Sequence, residues 1–124
     1  MATGLENLKI YKLAARLEIF IYKVTEKFPV DEKYNSISQL RRSSLSVSNN
    51  IAESYGRHSF KSKINYLYIA RGEVEETRSG IDRAYKKGFI TEKMSNFIVE
   101  KYTELLKSIN SYIKFLRNQK TKTN

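Results

Sequence analysis

The sequence predicts an all-α protein, an antiparallel four-helix bundle whose helices run up, down, up and down. In four long stretches, apolar residues recur at steps of three and four, which is the spacing of one helix face. Residues that end helices fall between these stretches, at Pro29, Gly56 and Gly88. No segment alternates strictly between apolar and polar residues, as a half-buried strand would. Long helices with short connections favour a bundle of antiparallel neighbours.

The first helix is predicted over residues 5–28, because Pro29 lacks a backbone donor and disfavours helical geometry in the residue before it. Thr3 and Glu6 form a possible capping box, in which each side chain satisfies a free backbone N–H. The predicted apolar face consists of Leu13, Leu17, Phe20 or Ile21, Val24 and Phe28.

The second helix is predicted over residues 36–55, with Ser36 and Gln39 as a second possible capping box and Gly56 as a left-handed terminator. Its face consists of Ile37, Leu40, Ser44, Val47 and Ile51. Serine and asparagine, which are frequent here, are mediocre helix formers, so tertiary packing must stabilise this segment. Small side chains would let neighbouring backbones approach closely.

The third and fourth helices are predicted over residues 59–87 and 91–117. Gly88 is a natural residue to follow a helix, and Thr91 is a natural N-cap. The third face consists of Leu67, Ala70, Val74, Thr77, Ile81 and Ala84, and the fourth of Ile98, Tyr102, Leu105, Ile109, Tyr112 and Leu116. A frayed tail is predicted over 118–124. The whole chain, 1–124, is predicted to be one domain.

The composition narrows the class of protein. The 124 residues suit one hydrophobic core, and 23 Lys and Arg against 13 Asp and Glu give a net charge of +10. A basic chain of this size attracts polyanions, although lysines also serve as solubilising helix surface. Without cysteine there is no disulfide framework, thiolate metal site or cysteine nucleophile, and a reducing cytoplasm is the expected compartment. No apolar run is long enough to cross a membrane, and the first residues lack the layout of a signal peptide.

The residues do not suggest an enzyme. His58 is the only histidine, and it lies between Arg57 and Ser59 at a predicted helix junction, with no third group to orient it as a base. Helical carboxylates occur without the Glu-x-x-His pairs of a di-iron bundle, and there is no glycine-rich phosphate loop. We therefore expect no catalytic residue, no metal and no cofactor.

Apolar residues also lie beside the predicted faces of two helices. In the first helix they are Ile10, Ile19 and Tyr22, and in the fourth they are Val99, Leu106, Ile113 and Phe115. A wide core-facing stripe explains them if the protein is a monomer. Two stripes on one helix otherwise indicate a second buried surface, so self-association is favoured.

One string of residues resembles a known family. It runs Ser38-Gln39-Leu40-Arg41-Arg42, Ser46-Val47, Asn50-Ile51-Ala52-Glu53 and Gly56-Arg57, with Phe28-Pro29 upstream and Ala70-Arg71-Gly72 downstream. It resembles the four-helix-bundle family encoded in intervening sequences of bacterial 23S ribosomal RNA genes. That family includes the accessory variability protein of diversity-generating retroelements.

The resemblance covers about residues 5 to 117. It implies a homopentameric barrel of bundles with a basic surface and, for the retroelement members, binding to nucleic acid and to a reverse transcriptase. The family usually has Pro at Ser48, Gly at Ser54 and Ser at Glu73. These departures do not alter the expected fold. They do make the surface of other family members a less direct guide to the surface of this chain.

Four basic residues are candidates for bracing or for phosphate contacts. Arg41 borders the predicted face of the second helix, and we expect it to brace neighbouring helices by pairing with Glu53, Glu73 or Glu76. Arg42 points further out, and for it the same bracing and a phosphate contact, which arginine makes bidentately, are equally open. In the third helix Arg71 and Arg78 flank the predicted face, so bracing is again favoured.

The least neutralised cations lie in two places. Arg57, Lys61 and Lys63 follow the second helix, with no acid between Glu53 and Glu73, and Lys114 and Arg117 lie near the end of the fourth. We expect the two patches at opposite ends of a monomer, each made continuous by repetition around a ring. A solvated charge run explains them if the protein binds no polyanion.

The leading hypothesis is a non-enzymatic, oligomeric protein that binds RNA or DNA without sequence readout, through Arg42, Arg57, Lys61, Lys63, Lys114 and Arg117. Phosphate contacts supply affinity and carry no sequence information. The alternative is an adaptor that docks a specific protein such as a reverse transcriptase, with charge only steering the encounter. Membrane binding is disfavoured, because the apolar faces are committed to helix packing.

Overall fold

The computed structural model describes residues 4–5 and 8–123, and side chains as far as residue 119. Its helices are α1 (Lys9–Thr25), α2 (Ser38–Gly56), α3 (Phe60–Lys86) and α4 (Glu92–Thr123). A short 3-10 turn (Val30–Glu32) and a π-helical turn (Lys33–Ile37) join α1 to α2. These residues contain no strand, so the all-α prediction with four helices is confirmed.

One apolar core runs between the helices. α2 packs most extensively on α3, and α1 contacts α4 least of the adjacent pairs. The predicted face of α3 is buried in full, from Leu67 to Ala84. In α4 the predicted face is buried except for Tyr112, which is half-buried, while Ile113 beside it takes the core position. The three- and four-residue spacing therefore located the core of both helices.

The buried face of α1 is rotated from the predicted one. It consists of Ile10, Ala14, Leu17, Ile21 and Thr25. Leu13, Phe20 and Val24 lie at its edge, half-buried, because α1 contacts α2 on one side and α4 on the other. Burial of the polar Thr25 is possible because its hydroxyl donates to the Ile21 carbonyl at 2.8 Å.

The ends of α1 and α2 also differ from their predictions. α1 ends at Thr25 because the chain tightens into a 3-10 turn before Pro29, where the Phe28 N–H donates to the Thr25 carbonyl at 3.1 Å. The capping box of Ser36 and Gln39 does not form, since the Ser36 hydroxyl donates instead to Glu32 at 2.6 Å. The capping box of Thr3 and Glu6 lies outside the described residues.

Gly56 is the last residue of α2, and it is not left-handed as predicted. The helix ends instead where Arg57 turns to extended backbone, with φ −81° and ψ 150°. Gly88 follows α3 with φ +83°, as the sequence predicted. α4 passes the predicted end at residue 117 and stays helical to Thr123, because no proline or glycine interrupts it.

The second apolar stripe is smaller than expected. Ile10 and Ile113 belong to the core, and Val99 and Leu106 pack against it. Ile19, Tyr22 and Phe115 remain exposed. Most of the extra apolar residues thus widen the core-facing stripes.

Ser44 faces the close contact around α2 and is 1% exposed. We expect Ser44→Leu to lower the free energy of unfolding by about 1–3 kcal/mol, because a larger side chain overpacks a filled core. Urea denaturation measures this difference. An unchanged midpoint with an unchanged slope would show that the site can expand.

Two glycines should respond to alanine in opposite directions. Gly88→Ala should destabilise the protein by about 1 kcal/mol, because an L-residue disfavours the positive φ found there. Gly72 lies inside α3 with open space around it, so Gly72→Ala should stabilise by about 0.5–1 kcal/mol. Thermal unfolding of the two variants side by side checks the signs, and a shared direction would contradict this assignment.

Candidate polyanion-binding end

The junction of α2 and α3 is fixed by local hydrogen bonds. The Ser59 hydroxyl caps α3 by accepting from the Ser62 N–H at 3.0 Å. The Ser54 hydroxyl donates to the Lys63 carbonyl at 2.8 Å. In return the Lys63 ammonium donates to the carbonyls of Ser54 at 3.3 Å and Tyr55 at 2.9 Å, at the last turn of α2. Lys63 thus satisfies free carbonyls of α2, and partial burial lowers the pKa of its ammonium group.

The last turns of α4 lie beside the first turns of α3. The Arg117 guanidinium stands 5.6 Å from the centre of the Tyr68 ring. One turn away, Arg71 stands 4.7 Å from that ring and donates to the Asn110 side-chain oxygen at 2.8 Å. The two basic patches, expected at opposite ends of the monomer, therefore lie at the same end. The expectation failed because the contact of Arg117 with Tyr68 places the end of α4 beside the start of α3.

The start of α1 completes this end. Leu8, Lys9 and Ile10 line one shallow cleft together with Lys107 and Phe115 of α4. We call this region the basic end and define it as residues 8–12, 53–68 and 107–119. Its cations are Lys9, Lys12, Arg57, Lys61, Lys63, Lys107, Lys114 and Arg117. Among the described side chains in these ranges, Glu53 is the single carboxylate.

The opposite end of the molecule has mixed charge. Its cations are Lys23, Lys27, Lys33, Arg83, Lys86, Lys87 and Lys93, and its carboxylates are Glu26, Asp31, Glu32, Asp82 and Glu92. Lys86 pairs with Asp82 at 2.9 Å, and Lys87 approaches Glu32 at 4.0 Å. The positive charge of the chain is thus concentrated at the basic end.

The first turn of α3 adds a further positive potential. It contains Lys61 and Lys63 and no acidic residue. Free backbone N–H groups and the helix dipole already make this position positive, so cations here oppose the usual preference. A bound anion would relieve that repulsion.

The predicted phosphate-binding residues differ in how free they are. Arg57 pairs with Glu53 at 3.1 Å, donates to the Tyr66 hydroxyl at 2.7 Å and lies over the Tyr66 ring at 4.7 Å. Arg117 is exposed and lies over Tyr68. Lys61 and Lys114 are exposed and form no ion pair among the described residues. These two lysines are therefore exposed cations of the predicted set that can reach a phosphate without breaking an ion pair.

Arg42 lies away from the basic end and acts as a brace. It forms ion pairs from α2 to Glu73 of α3, at 3.5 Å, and to Glu76. The hydrogen bond with Glu76 raises the pKa of Arg42 and lowers that of Glu76. Ser46 also donates to Glu73, at 2.9 Å. Arg42 thus forms interhelical ion pairs with carboxylates, which is one of the two roles that the sequence left open for it.

Arg41 braces α1 and α2 without a carboxylate. Its Nε donates to the Thr25 hydroxyl at 2.9 Å, and its Nη2 donates to the Tyr22 carbonyl at 3.2 Å. The guanidinium also lies 3.9 Å from the centre of the Tyr22 ring. Arg41 thus holds the last turn of α1 to the first turn of α2.

The other expected braces are divided between contacts within and between helices. Arg71 links α3 to α4 through Asn110. Arg78 donates to Glu75 at 2.6 Å within α3. Glu53 pairs with Arg57 just after its own helix and so does not link neighbouring helices.

Lys9 and Lys12 belong to the basic end and were missed by the sequence reasoning. A charge map along the chain separates them from the α2–α3 junction by long stretches. The placement of the end of α4 beside the start of α1 would have grouped them with the other cations.

His58 is exposed, and the described residues contain no group of three or more histidines and acids placed to hold a metal. None of the helices described here is both long and apolar enough for a membrane span.

Comparison with known proteins identifies the family of this chain. The family model described as 23S rRNA-intervening sequence protein matches residues 6–111. The chain belongs to that family. A crystal structure of a protein with unknown function, from the S23 ribosomal protein family of Bacteroides thetaiotaomicron, is similar to this family member. The two are 25% identical with a TM-score of 0.79, over 85% of this chain and 95% of the other. No curated protein matches the sequence significantly. The comparisons indicate no catalytic family.

Proposed function

We propose that this protein is a non-enzymatic, nucleic-acid-binding module that contacts phosphates through the basic end. The observation that carries the proposal is the grouping of Lys9, Lys61, Lys114 and Arg117 at one end, where Glu53 is the single described carboxylate. A one-sided basic surface is the electrostatic footprint of nucleic-acid binding. Because the opposite end carries charges of both signs, we expect a polyanion to bind at the basic end.

Binding without sequence readout fits the contacts of the aromatic residues. Arg57 covers the Tyr66 ring, and Arg71 and Arg117 approach the Tyr68 ring. Rings occupied by guanidinium groups are poor platforms for base stacking. Lys61 and Lys114 reach solvent as mobile point charges, which suit phosphates and do not discriminate bases.

The test is the salt dependence of binding by the parent protein. We expect fluorescently labelled RNA and duplex DNA of unrelated sequences to bind with similar affinity. For duplex DNA the affinity should fall with salt at a log–log slope of about −0.9 for each phosphate neutralised. Negligible binding at physiological salt would contradict the proposal. Recovery of a specific protein partner would then favour the adaptor function instead.

We also propose that the bundle is antiparallel and self-associates, with a pentamer suggested by the family resemblance. Contacts of Arg41 with Tyr22, and of Arg71 with Asn110, support alternating helix directions. Exposed apolar side chains support self-association, and they include Ile19, Leu45 and Ile69. Repetition of the basic end would raise avidity for a polyanion. Light scattering tests the assembly, and a mass near 14.5 kDa would contradict it.

A further inference from the structure

A second surface feature lies far from the basic end, between α1 and α4. There the two helices leave a groove of about 350 Å³. Its apolar wall is formed by Phe20 and Val24 of α1, by Ile90 just before α4 and by Met94 in the first turn of α4. All four side chains are half-buried, because each packs against the core on one side and faces the groove on the other. We call this feature the α1–α4 groove.

The groove continues onto an exposed aromatic side chain. Phe97 of α4 is 45% exposed, and its ring lies 5.6 Å from the ring of Phe20. α1 and α4 contact each other least of the adjacent helix pairs, so their outer edges stay apart. The exposed apolar strip is therefore formed by both helices, as a helix-docking groove would be.

The rim of the groove carries charge of one sign. Lys23 and Lys27 line it and are exposed, and none of the residues that line it is acidic. Lys23 lies in the last turn of α1 and Lys27 lies in the turn that follows the helix, and both line the groove. Neither lysine forms an ion pair among the described residues. An apolar floor beside a positive rim is complementary to a segment with apolar side chains flanked by carboxylates.

We propose that the α1–α4 groove docks a short acidic amphipathic helix of a partner protein. Two apolar side chains of the partner, one turn apart, occupy the space over Val24 and Met94, and its flanking carboxylates meet Lys23 and Lys27. Apolar burial supplies affinity, and the two charges fix orientation and exclude basic partners.

A second copy of this chain fits the groove less well. Its net charge of +10 opposes two further lysines. The exposed carboxylates of α3 are already engaged, because Glu76 pairs with Arg42 and Glu75 pairs with Arg78. These two carboxylates of α3 are therefore not free to meet Lys23 and Lys27.

The experiment uses the full chain and three labelled synthetic peptides in fluorescence anisotropy. The first peptide is an amphipathic helix with two leucines one turn apart and glutamates on both flanks. In the second, serine replaces the leucines, and in the third, lysine replaces the glutamates. We expect the first to bind and both others to bind at least about tenfold more weakly. The second peptide lacks the apolar contacts with the groove, and the third lacks the attraction to its lysines.

The protein variant that tests the rim is Lys23→Glu with Lys27→Glu. It should weaken binding of the first peptide by about tenfold, at two reversed charge contacts. Its matched control is Lys61→Glu with Lys114→Glu, which makes the same change of charge at the basic end and should leave peptide affinity within about twofold. Nucleic-acid binding should respond in the opposite pattern, so failure of one proposal is distinguishable from failure of the other.

Three outcomes would overturn the inference. Equal affinity of the leucine-free peptide and the first peptide would show that net charge alone attracts the peptide. Equal weakening by both charge-reversal variants would show that the peptide does not bind in the groove. A change in oligomeric mass on Lys23→Glu with Lys27→Glu would show that a second copy occupies the groove.

Discussion

Replacing Lys61 and Lys114 by glutamate is expected to weaken nucleic-acid binding about 10- to 100-fold at 0.1 M salt. Each substitution removes a cation that is free to reach a phosphate and adds a charge that repels it. The loss should be the same for unrelated sequences, because phosphate contacts carry no base information. The slope of log affinity against log salt for duplex DNA should become shallower by about 2.

These two lysines are chosen because neither has a structural task among the described contacts. Arg57 is tied to Glu53 and Tyr66, and Lys63 satisfies two carbonyls at the end of α2. Variants of Arg57 or Lys63 would therefore mix lost binding with a loosened helix junction. Circular dichroism of the Lys61 and Lys114 variant should match the parent.

The matched control reverses two exposed lysines at the opposite end, Lys33 and Lys93. It changes the net charge by the same amount. A loss of DNA affinity that both double variants show would therefore report the overall electrostatic field of the protein. We expect its affinity for duplex DNA to stay within about threefold of the parent. Equal losses in the two double variants would show that binding is not localised at the basic end.

The sequence predicted the helices better than the roles of their charged residues. The α3 face was readable because six positions from Leu67 to Ala84 follow one helical spacing, and burial of such a face is a property of the helix itself. The α1 face was less readable, because Thr25 is buried through a hydrogen bond to its own helix and to Arg41. A polar residue such as Thr25 is passed over when the buried face is read from the spacing of apolar residues.

The charged residues depend on three-dimensional neighbours. Arg41 and Arg42 are adjacent in sequence, yet one meets a hydroxyl of α1 and the other meets carboxylates of α3. Helical geometry predicts that their side chains diverge by about 100° and does not say which neighbour each meets. The basic end likewise required the relative placement of α3 and α4, which the Tyr68 and Arg117 contact supplies.

The two adjacent arginines should differ sharply in their contribution to stability. We expect Arg41→Ala to lower the free energy of unfolding by about 2–3 kcal/mol. It removes two charge-assisted hydrogen bonds and a cation–π contact with Tyr22, and it leaves the buried Thr25 oxygen without that donor. Arg41→Lys should recover less than half of the loss, because an ammonium group lacks the planar fork that reaches both acceptors.

Arg42→Ala is the matched comparison and should cost about 1 kcal/mol or less. Its side chain is 55% exposed, and exposed ion pairs contribute little after solvent screening. The hydrogen bond that Ser46 donates to Glu73, 2.9 Å in the parent, should remain when Arg42 is absent. Urea denaturation of both alanine variants measures the difference, and equal losses would show that the contact with Thr25 does not stabilise the α1–α2 pair. A double-mutant cycle of Arg41→Ala with Thr25→Val should then give a coupling energy of about 1 kcal/mol, because these two side chains meet directly between the helices.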